Sequence, residues 1–288
     1  MKKGTKIIFF IVIVFIALPI GISALRRATT PAVGILKIEG PIEDSIDYLD
    51  IIKRFEEDDM VKAVVVRLDS PGGRVGPSQE VYEALLRLKR TKPVIASLGS
   101  MGASGAYYIA CSADTIYALS GTLTGSIGVI LEFFDVTEGM KKLGVSSRAI
   151  TGGKLKDAGT PFKKMTEEEQ RYFQALAVDV HEQFKDAVAR SRKLKKDRID
   201  EYADGRVYTG RQAQALGLVD KLGGLDMAVE DAGRRAGIEG KPRIVEGVPE
   251  KSALEEVRDL LQGYAPISLG KGPSRLSRGF LRLEYSIQ

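Results

Sequence analysis

Two apolar runs, Val61 to Leu68 and Pro93 to Leu98, each end in a turn of small residues and are each followed by a stretch of helical spacing. The first, VKAVVVRL, is β-branched and bounded by charge, and reads as a buried strand. Further strand candidates are Ala32 to Glu39, Asp114 to Leu119, Ile127 to Phe133 and Ser146 to Ile150, with helices over Ser45 to Glu57 and Pro77 to Arg90. Strands alternating with helices at this spacing restrict the chain to an α/β domain, mostly parallel sheet joined by right-handed crossovers. After Thr166 the pattern changes. Glu167 to Leu194 is one long charged helix, Ile199 to Ala236 holds shorter glycine-broken elements, and Glu250 to Gln262 is a last helix.

The two junctions hold the candidate chemistry. Asp69-Ser70-Pro71-Gly72-Gly73 closes the first run, and Gly99-Ser100-Met101-Gly102-Ala103-Ser104-Gly105 closes the second. The small residues of the second predict a tight turn with a helix starting at about Ser104. In a parallel sheet both junctions lie at the carboxyl edge, where sites form. Ser104 then has a nucleophile's placement, and the amides of Gly73 and Gly105 are the expected oxyanion donors. Each feature alone fits an ordinary glycine turn or a helix cap better than a catalytic site.

Composition narrows the choice of base. The chain has one histidine, His181, set among charged helical neighbours and read as solvated, and one cysteine, Cys111, in an apolar run and read as core. An intrachain disulfide, a cysteine-rich metal site and a histidine-rich zinc site are excluded, and no cofactor motif is present. Lysine is the other base available to a serine. Thr151-Gly152-Gly153-Lys154-Leu155-Lys156-Asp157 supplies two candidates, which share a face if the segment is extended, so spacing does not choose between Lys154 and Lys156. Such a base must act unprotonated, against an ordinary lysine value of about 10.4. Ser126, in Leu123-Thr124-Gly125-Ser126, is a candidate hydrogen-bond partner for it.

The N-terminus carries a separate signal. Lys2, Lys3 and Lys6 precede an apolar run from Ile7 to Leu25, followed by Arg26 and Arg27. Its length is near the roughly 20 residues that span a bilayer. Residues 1–27 are expected to be an uncleaved signal-anchor, with a cleaved signal (Gly21 and Ser23 before the cut) as the alternative; both put the remainder outside the cytoplasm. Net charge is +5 without a nucleic-acid motif, so no nucleic-acid partner is expected. Residues 263–288, rich in Gly, Pro, Ser and Arg, read as a flexible basic tail or interaction arm.

Five stretches in order resemble the signal peptide peptidase A family of membrane-anchored serine peptidases, in its short single-copy form: DSPGG at 69–73, GSMGASGAYYIA at 99–110, TLTGSIGVI at 122–130, GGKLKDAGTPFKKMTEEE at 152–169 and DGRVYTGRQAQALGLVDKLGG at 204–224. The resemblance implies a ClpP/crotonase-like peptidase domain over residues 28–262. It implies Ser104 as nucleophile, Lys156 as general base, Ser126 holding the lysine amine, and Gly73 and Gly105 as the oxyanion hole. It further implies a homo-oligomeric ring, no cofactor or metal, and peptide substrates such as signal-peptide remnants in the membrane. An apolar groove near Val75, Met101 and Leu131 is expected, with aliphatic or small side chains preferred before the scissile bond. Two rivals stand beside this reading. One is a crotonase-type acyl-CoA enzyme, which the 204–224 stretch fits almost equally but which needs neither anchor nor serine nucleophile. The other is a non-catalytic membrane scaffold of the same fold.

Overall fold

The computed structural model describes residues 30–248 and 283–285. Strand β1 (Ala32–Glu39) leads through helix α1 (Ile46–Glu57) to β2 (Val61–Ser70). After β3 (Gly73–Arg74), helix α2 (Val75–Leu88) crosses back to β4 (Val94–Ala103). Helix α3 (Gly105–Ala110) and strands β5 (Thr115–Ala118), β6 (Leu123–Gly125) and β7 (Ile130–Leu131) follow. Next come α4 (Thr137–Lys142), the long α5 (Glu167–Arg192) and α6 (Lys196–Asp200). The series ends with β8 (Val207–Thr209), α7 (Gly210–Ala215), β9 (Lys221–Leu222), α8 (Leu225–Arg235), β10 (Arg243–Glu246) and β11 (Leu283–Tyr285).

The result is a mixed α/β fold with a mostly parallel sheet, as the alternation of the sequence requires. The main sheet runs β10-β1-β2-β4-β5-β9, and β6 joins β4 to β8. Every pairing in it is parallel except β6 with β8. Side chains alternate between its faces, which is the period-2 rule of a strand. Leu36, Ile38, Val64, Val66 and Leu68 pack under α1, α2, α3 and α5, whereas Val33, Ile35, Ala63, Val65 and Ile95 pack under α8. Each fully buried aliphatic side chain contributes roughly 1.5–3 kcal/mol, against about 0–1 kcal/mol for an exposed ion pair, so these two layers and not the surface charges hold the sheet.

Local sequence explains the long helix. Thr166 caps α5 by accepting the Glu169 N–H, the Glu169 side chain returns to the Thr166 N–H, and Glu167, Glu168 and Glu169 fill the first turn. Arg190 and Arg192 lie in its last turn, the end where cations are favourable.

One carboxylate in the smaller layer ties the fold to pH. Asp231 on α8 is buried, which alone would raise its carboxyl. The Arg234 guanidinium at 2.6 Å, with Arg235 and Lys221, outweighs burial and pulls it down to about 2. Its folded value is below the ordinary one, so its contribution is complete above about 3.9 and is lost as pH falls towards 2. Asp231→Asn is expected to lower stability by about 1–2 kcal/mol at pH 6 and by much less at pH 2.5, read by urea unfolding at both.

Several sequence expectations change. Strand β4 runs on through Gly99–Ala103, where small residues predict a turn. The Asp69 carboxylate accepts the Met101 N–H at 3.0 Å, and a side chain at Gly99 would come within 2.7 Å of Asp69, so the glycine lets the strand continue against its neighbour. The Ile127 to Phe133 strand shrinks to β7: the Ile127 carbonyl is tied to the Gly205 N–H, and the chain then leaves the main sheet. Ser146 to Ile150 forms no strand; among the described residues it has no partner strand, and every residue in it is exposed. The signal-anchor and the Glu250 to Gln262 helix lie outside the described residues; among those described, no helix is long and apolar enough to cross a membrane. The tail expectation is narrowed at one place, since residues 283–285 form β11, the middle strand of a separate sheet ordered β3-β11-β7.

Candidate active site

The end of β4 sets the site. Its first half pairs with β5, and its last three residues pair with β6, so Ala103 lies opposite Gly125. Continuing that register puts Ser104 beside Ser126. Both are held with positive φ, 53° at Ser104 and 50° at Ser126, a region that costs a non-glycine residue roughly 1–3 kcal/mol. Backbone bonds impose these conformations: the Ser104 N–H donates to the Gly125 carbonyl and the Ser126 N–H to the Arg206 carbonyl, both at 2.8 Å. The Ser104 carbonyl accepts from the Tyr108 N–H, opening α3, a helix buried over its whole length.

The Ser104 hydroxyl is buried and has no hydrogen-bond partner among the described residues. An unsatisfied buried polar group costs about 1–3 kcal/mol. Strain and an unpaired hydroxyl thus meet at one residue, the kind of outlier that points to function. Two threonines hold the strand that presents it. Thr122 Oγ1 donates to the Gly99 carbonyl at 2.6 Å and Thr124 Oγ1 to the Gly102 carbonyl at 2.7 Å. Sequence reading missed these residues and Asp69. The spacing of Thr122, Thr124 and Ser126 is the signal in the sequence: three hydroxyls at every second position through and around β6.

Gly73 sits at the same edge, because Ser70 pairs with Gly102 just before the Ser104 turn. Ile42 bonds the residues on either side of Gly73, donating to the Gly72 carbonyl and accepting from the Arg74 N–H. Along a strand successive amides face opposite ways, so the N–H and carbonyl of Gly73 point to the other edge, where β11 lies with Tyr285 opposite Gly73. A side chain at Gly73 would meet the Ile42 carbonyl oxygen at 2.3 Å, so only glycine fits the approach. On its far side β11 pairs with β7, Leu283 opposite Leu131. Val75 follows β3 directly and is buried, while Met101 and Leu131 are half-buried. The space between β3 and β7 therefore holds an extended chain segment.

The two lysines behave differently. Residues 152–159 form turns and not an extended strand, so Lys154 and Lys156 do not share a strand face. Lys154 pairs with Glu168 at 2.8 Å. Lys156 is exposed, and no hydrogen bond joins it to Ser104 or Ser126 within one chain. The arm that carries it exposes large apolar side chains, Ile150 at 96%, Leu143 at 79% and Phe134 at 71%. His181, read as solvated, is half-buried instead, with Nε2 3.2 Å from the Ile127 carbonyl oxygen. That contact puts a proton on Nε2 and aims it at the backbone, not at Ser104. Cys111 is buried as expected, and burial pushes its thiol up to about 12. Among the described residues no cluster of His, Cys, Asp or Glu is arranged to hold a metal ion.

Comparison with known proteins agrees with this geometry. The model of peptidase family S49 matches residues 87–239, which include Ser104, Ser126 and both lysines. A provisionally named protease of Synechocystis is 41% identical over 236 residues, covering 81% of this chain and 82% of that protein. A provisionally named protease of Methanocaldococcus jannaschii is 34% identical over 248 residues, covering 85% and 78%. The chloroplastic serine protease SPPA of Arabidopsis thaliana is 35% identical over 211 residues, covering 71% of this chain and 31% of the plant protein.

Proposed function

Because the chain belongs to peptidase family S49, the signal peptide peptidase A family, we propose that it is a serine endopeptidase acting through Ser104 and Lys156. The observation that carries this reading is the Ser104 hydroxyl, strained, buried and unpartnered beside Ser126. In the first half-reaction the Lys156 amine removes the Ser104 proton as Oγ attacks the substrate carbonyl carbon. The N–H groups of Gly73 and Gly105 hold the resulting oxyanion, and Ser126 orients the amine. Collapse breaks the C–N bond, and the Lys156 ammonium returns its proton to the leaving amine. Water, deprotonated by the same amine, then attacks the acyl-enzyme and releases Ser104 and the second product.

Two features support a peptide as substrate and a ring as the working form. The groove between β3 and β7 takes an extended segment by backbone pairing, which is how a sheet edge binds a peptide. The arm exposes Phe134, Leu143 and Ile150, and a neighbouring copy packed on these apolar side chains would bring Lys156 to the next subunit's Ser104. The apolar residues Val75, Met101 and Leu131 favour aliphatic or small side chains, as signal-peptide remnants offer. With residues 1–27 as an anchor, the catalytic domain faces the extracytoplasmic side of the membrane.

A pair of aryl phosphonate esters tests the reading, one with a leucine-like and one with a lysine-like side chain. The first is expected to label the full-length protein at Ser104 and to leave Ser104→Ala unlabelled; the second is expected to react far more slowly. Equal labelling of Ser104→Ala would remove Ser104 as nucleophile.

A further inference from the structure

We propose that Lys163 is a positioning residue for the general base: by bridging Asp157 and Glu169 it takes the carboxylate adjoining Lys156 out of the base's surroundings and fixes the loop that carries the base. The inference rests on Lys156 acting as the base.

The bridge is explicit. Lys163 Nζ lies 2.9 Å from Asp157 Oδ1 and 2.8 Å from Glu169 Oε1. Glu169 is immobile for independent reasons, since its side chain is buried, its Oε2 accepts the Thr166 N–H at 2.9 Å, and its own N–H bonds Thr166 Oγ1 at 3.2 Å. One of its carboxylate oxygens serves the helix cap, and the other receives Lys163. Asp157 is thereby pinned to the first turn of α5 through a single ammonium. The charges respond accordingly: hydrogen bonds donated to Glu169 and Asp157 hold the Lys163 ammonium above the ordinary lysine value, and Lys163 holds the Glu169 carboxyl below its own.

The consequence for Lys156 is electrostatic. A carboxylate close to an amine stabilises the ammonium and so opposes its use as a base. Asp157 is its chain neighbour, and without Lys163 the Asp157 carboxylate would face the loop without this cation, while Glu169 would keep only its helix-cap bond. Two other lysines of the segment have carboxylate partners of their own, Lys154 with Glu168 from α5 and Lys164 with Glu138 from α4. Lys163 is thus the cation that balances the carboxylate beside the base.

The loop does not depend on the bridge to stay folded. The Val136 N–H donates to the Pro161 carbonyl at 2.9 Å. Gly159, at φ +74°, lies so close to Phe133 and Phe173 that an added side chain would come within 2.6 Å of the Phe133 ring, and those two rings pack at 4.5 Å between centroids. Removing one ammonium therefore disturbs charge and aim more than fold.

The test uses the full-length chain and a peptide substrate, with kcat, KM and the pH profile of kcat/KM measured. Lys163→Met is expected to lower kcat about 10-fold or more with KM unchanged, and to move the acid limb of the profile up by roughly one pH unit. Lys163→Arg is expected to restore both. Asp157→Asn, which removes the carboxylate instead, is expected to move the limb in the opposite direction, a reversal of sign that a general structural defect does not produce. An unmoved limb in Lys163→Met, or limbs moving the same way in Lys163→Met and Asp157→Asn, overturns the proposal. Lys156→Arg separates this from the reading beneath it: an active Lys156→Arg removes the base itself, whereas a dead Lys156→Arg beside an unaltered Lys163→Met removes only the role of Lys163.

Discussion

Ser104→Ala is expected to bring peptide hydrolysis to background, a fall in kcat of roughly a millionfold by analogy with nucleophile removal in other serine peptidases, while leaving the protein at least as stable as before. The two halves of this result come from one atom. The Ser104 hydroxyl is the nucleophile in the proposed reaction, and in the resting chain it is buried without a partner, so deleting it takes away an unsatisfied polar group and no hydrogen bond. The backbone strain stays, because alanine at φ 53° is no more comfortable than serine. Ser104→Gly should relieve that as well and melt higher still. Hydrolysis assays beside thermal melts check both variants. A variant that keeps its activity would place the nucleophile elsewhere, and one that loses much stability would mean that the hydroxyl is satisfied in the folded protein.

Lys156→Arg is expected to be equally inactive, because arginine stays protonated throughout the usable pH range and cannot accept the serine proton. In the unaltered enzyme activity should rise with pH, since only the free amine can act as the base. Lys154→Ala is expected to be almost silent. Its ammonium is an exposed partner of Glu168, and exposed pairs of this kind contribute about 0–1 kcal/mol. A dead Lys154→Ala with an active Lys156→Ala would exchange the two assignments. Since no hydrogen bond joins Lys156 to either serine within one chain, mixing Ser104→Ala with Lys156→Ala subunits should recover a fraction of the activity. Failure to recover any would place both groups of the dyad in the same subunit.

The parts of this arrangement legible in sequence are those governed by local pattern. The β-branched run at Val61 to Leu68, the apolar run into Ser104 and the capped helix from Glu167 announce themselves through period, charge and capping residues. The exact reach of β4 was hidden because it depends on Asp69, a residue of the neighbouring strand, bonding the Met101 amide. Ser146 to Ile150 misleads for a related reason: alternation suggests a strand, yet a strand exists only beside a partner, and none of the described strands pairs with this arm. The relation of Lys156 to Ser104 was also illegible from pattern, since spacing treats Lys154 and Lys156 alike; the family resemblance prefers Lys156, and the structure adds that Lys154 pairs with Glu168. The 204–224 stretch, which fits an acyl-CoA enzyme nearly as well, turns out to serve the site indirectly. Its Arg206 carbonyl holds the Ser126 N–H, and Val207–Thr209 pair with Leu123–Gly125, the strand that Ser126 follows.

Strand β11 lies between β3 and β7, with Tyr285 opposite Gly73 and Leu283 opposite Leu131. On the proposed reading, a substrate peptide that reaches Gly73 enters by exchange with this strand. The incoming strand regains the backbone bonds that the outgoing one gives up, so hydrogen bonding nearly cancels, and the fit of side chains against the groove decides the trade. The outgoing strand is also tethered, and a tethered competitor acts at an effective concentration on the order of millimolar, whatever the amount of enzyme in solution. Such a competitor weakens every substrate by the same factor. It leaves the ratios of kcat/KM between substrates untouched and sets instead a threshold of affinity or abundance below which a passing chain is ignored.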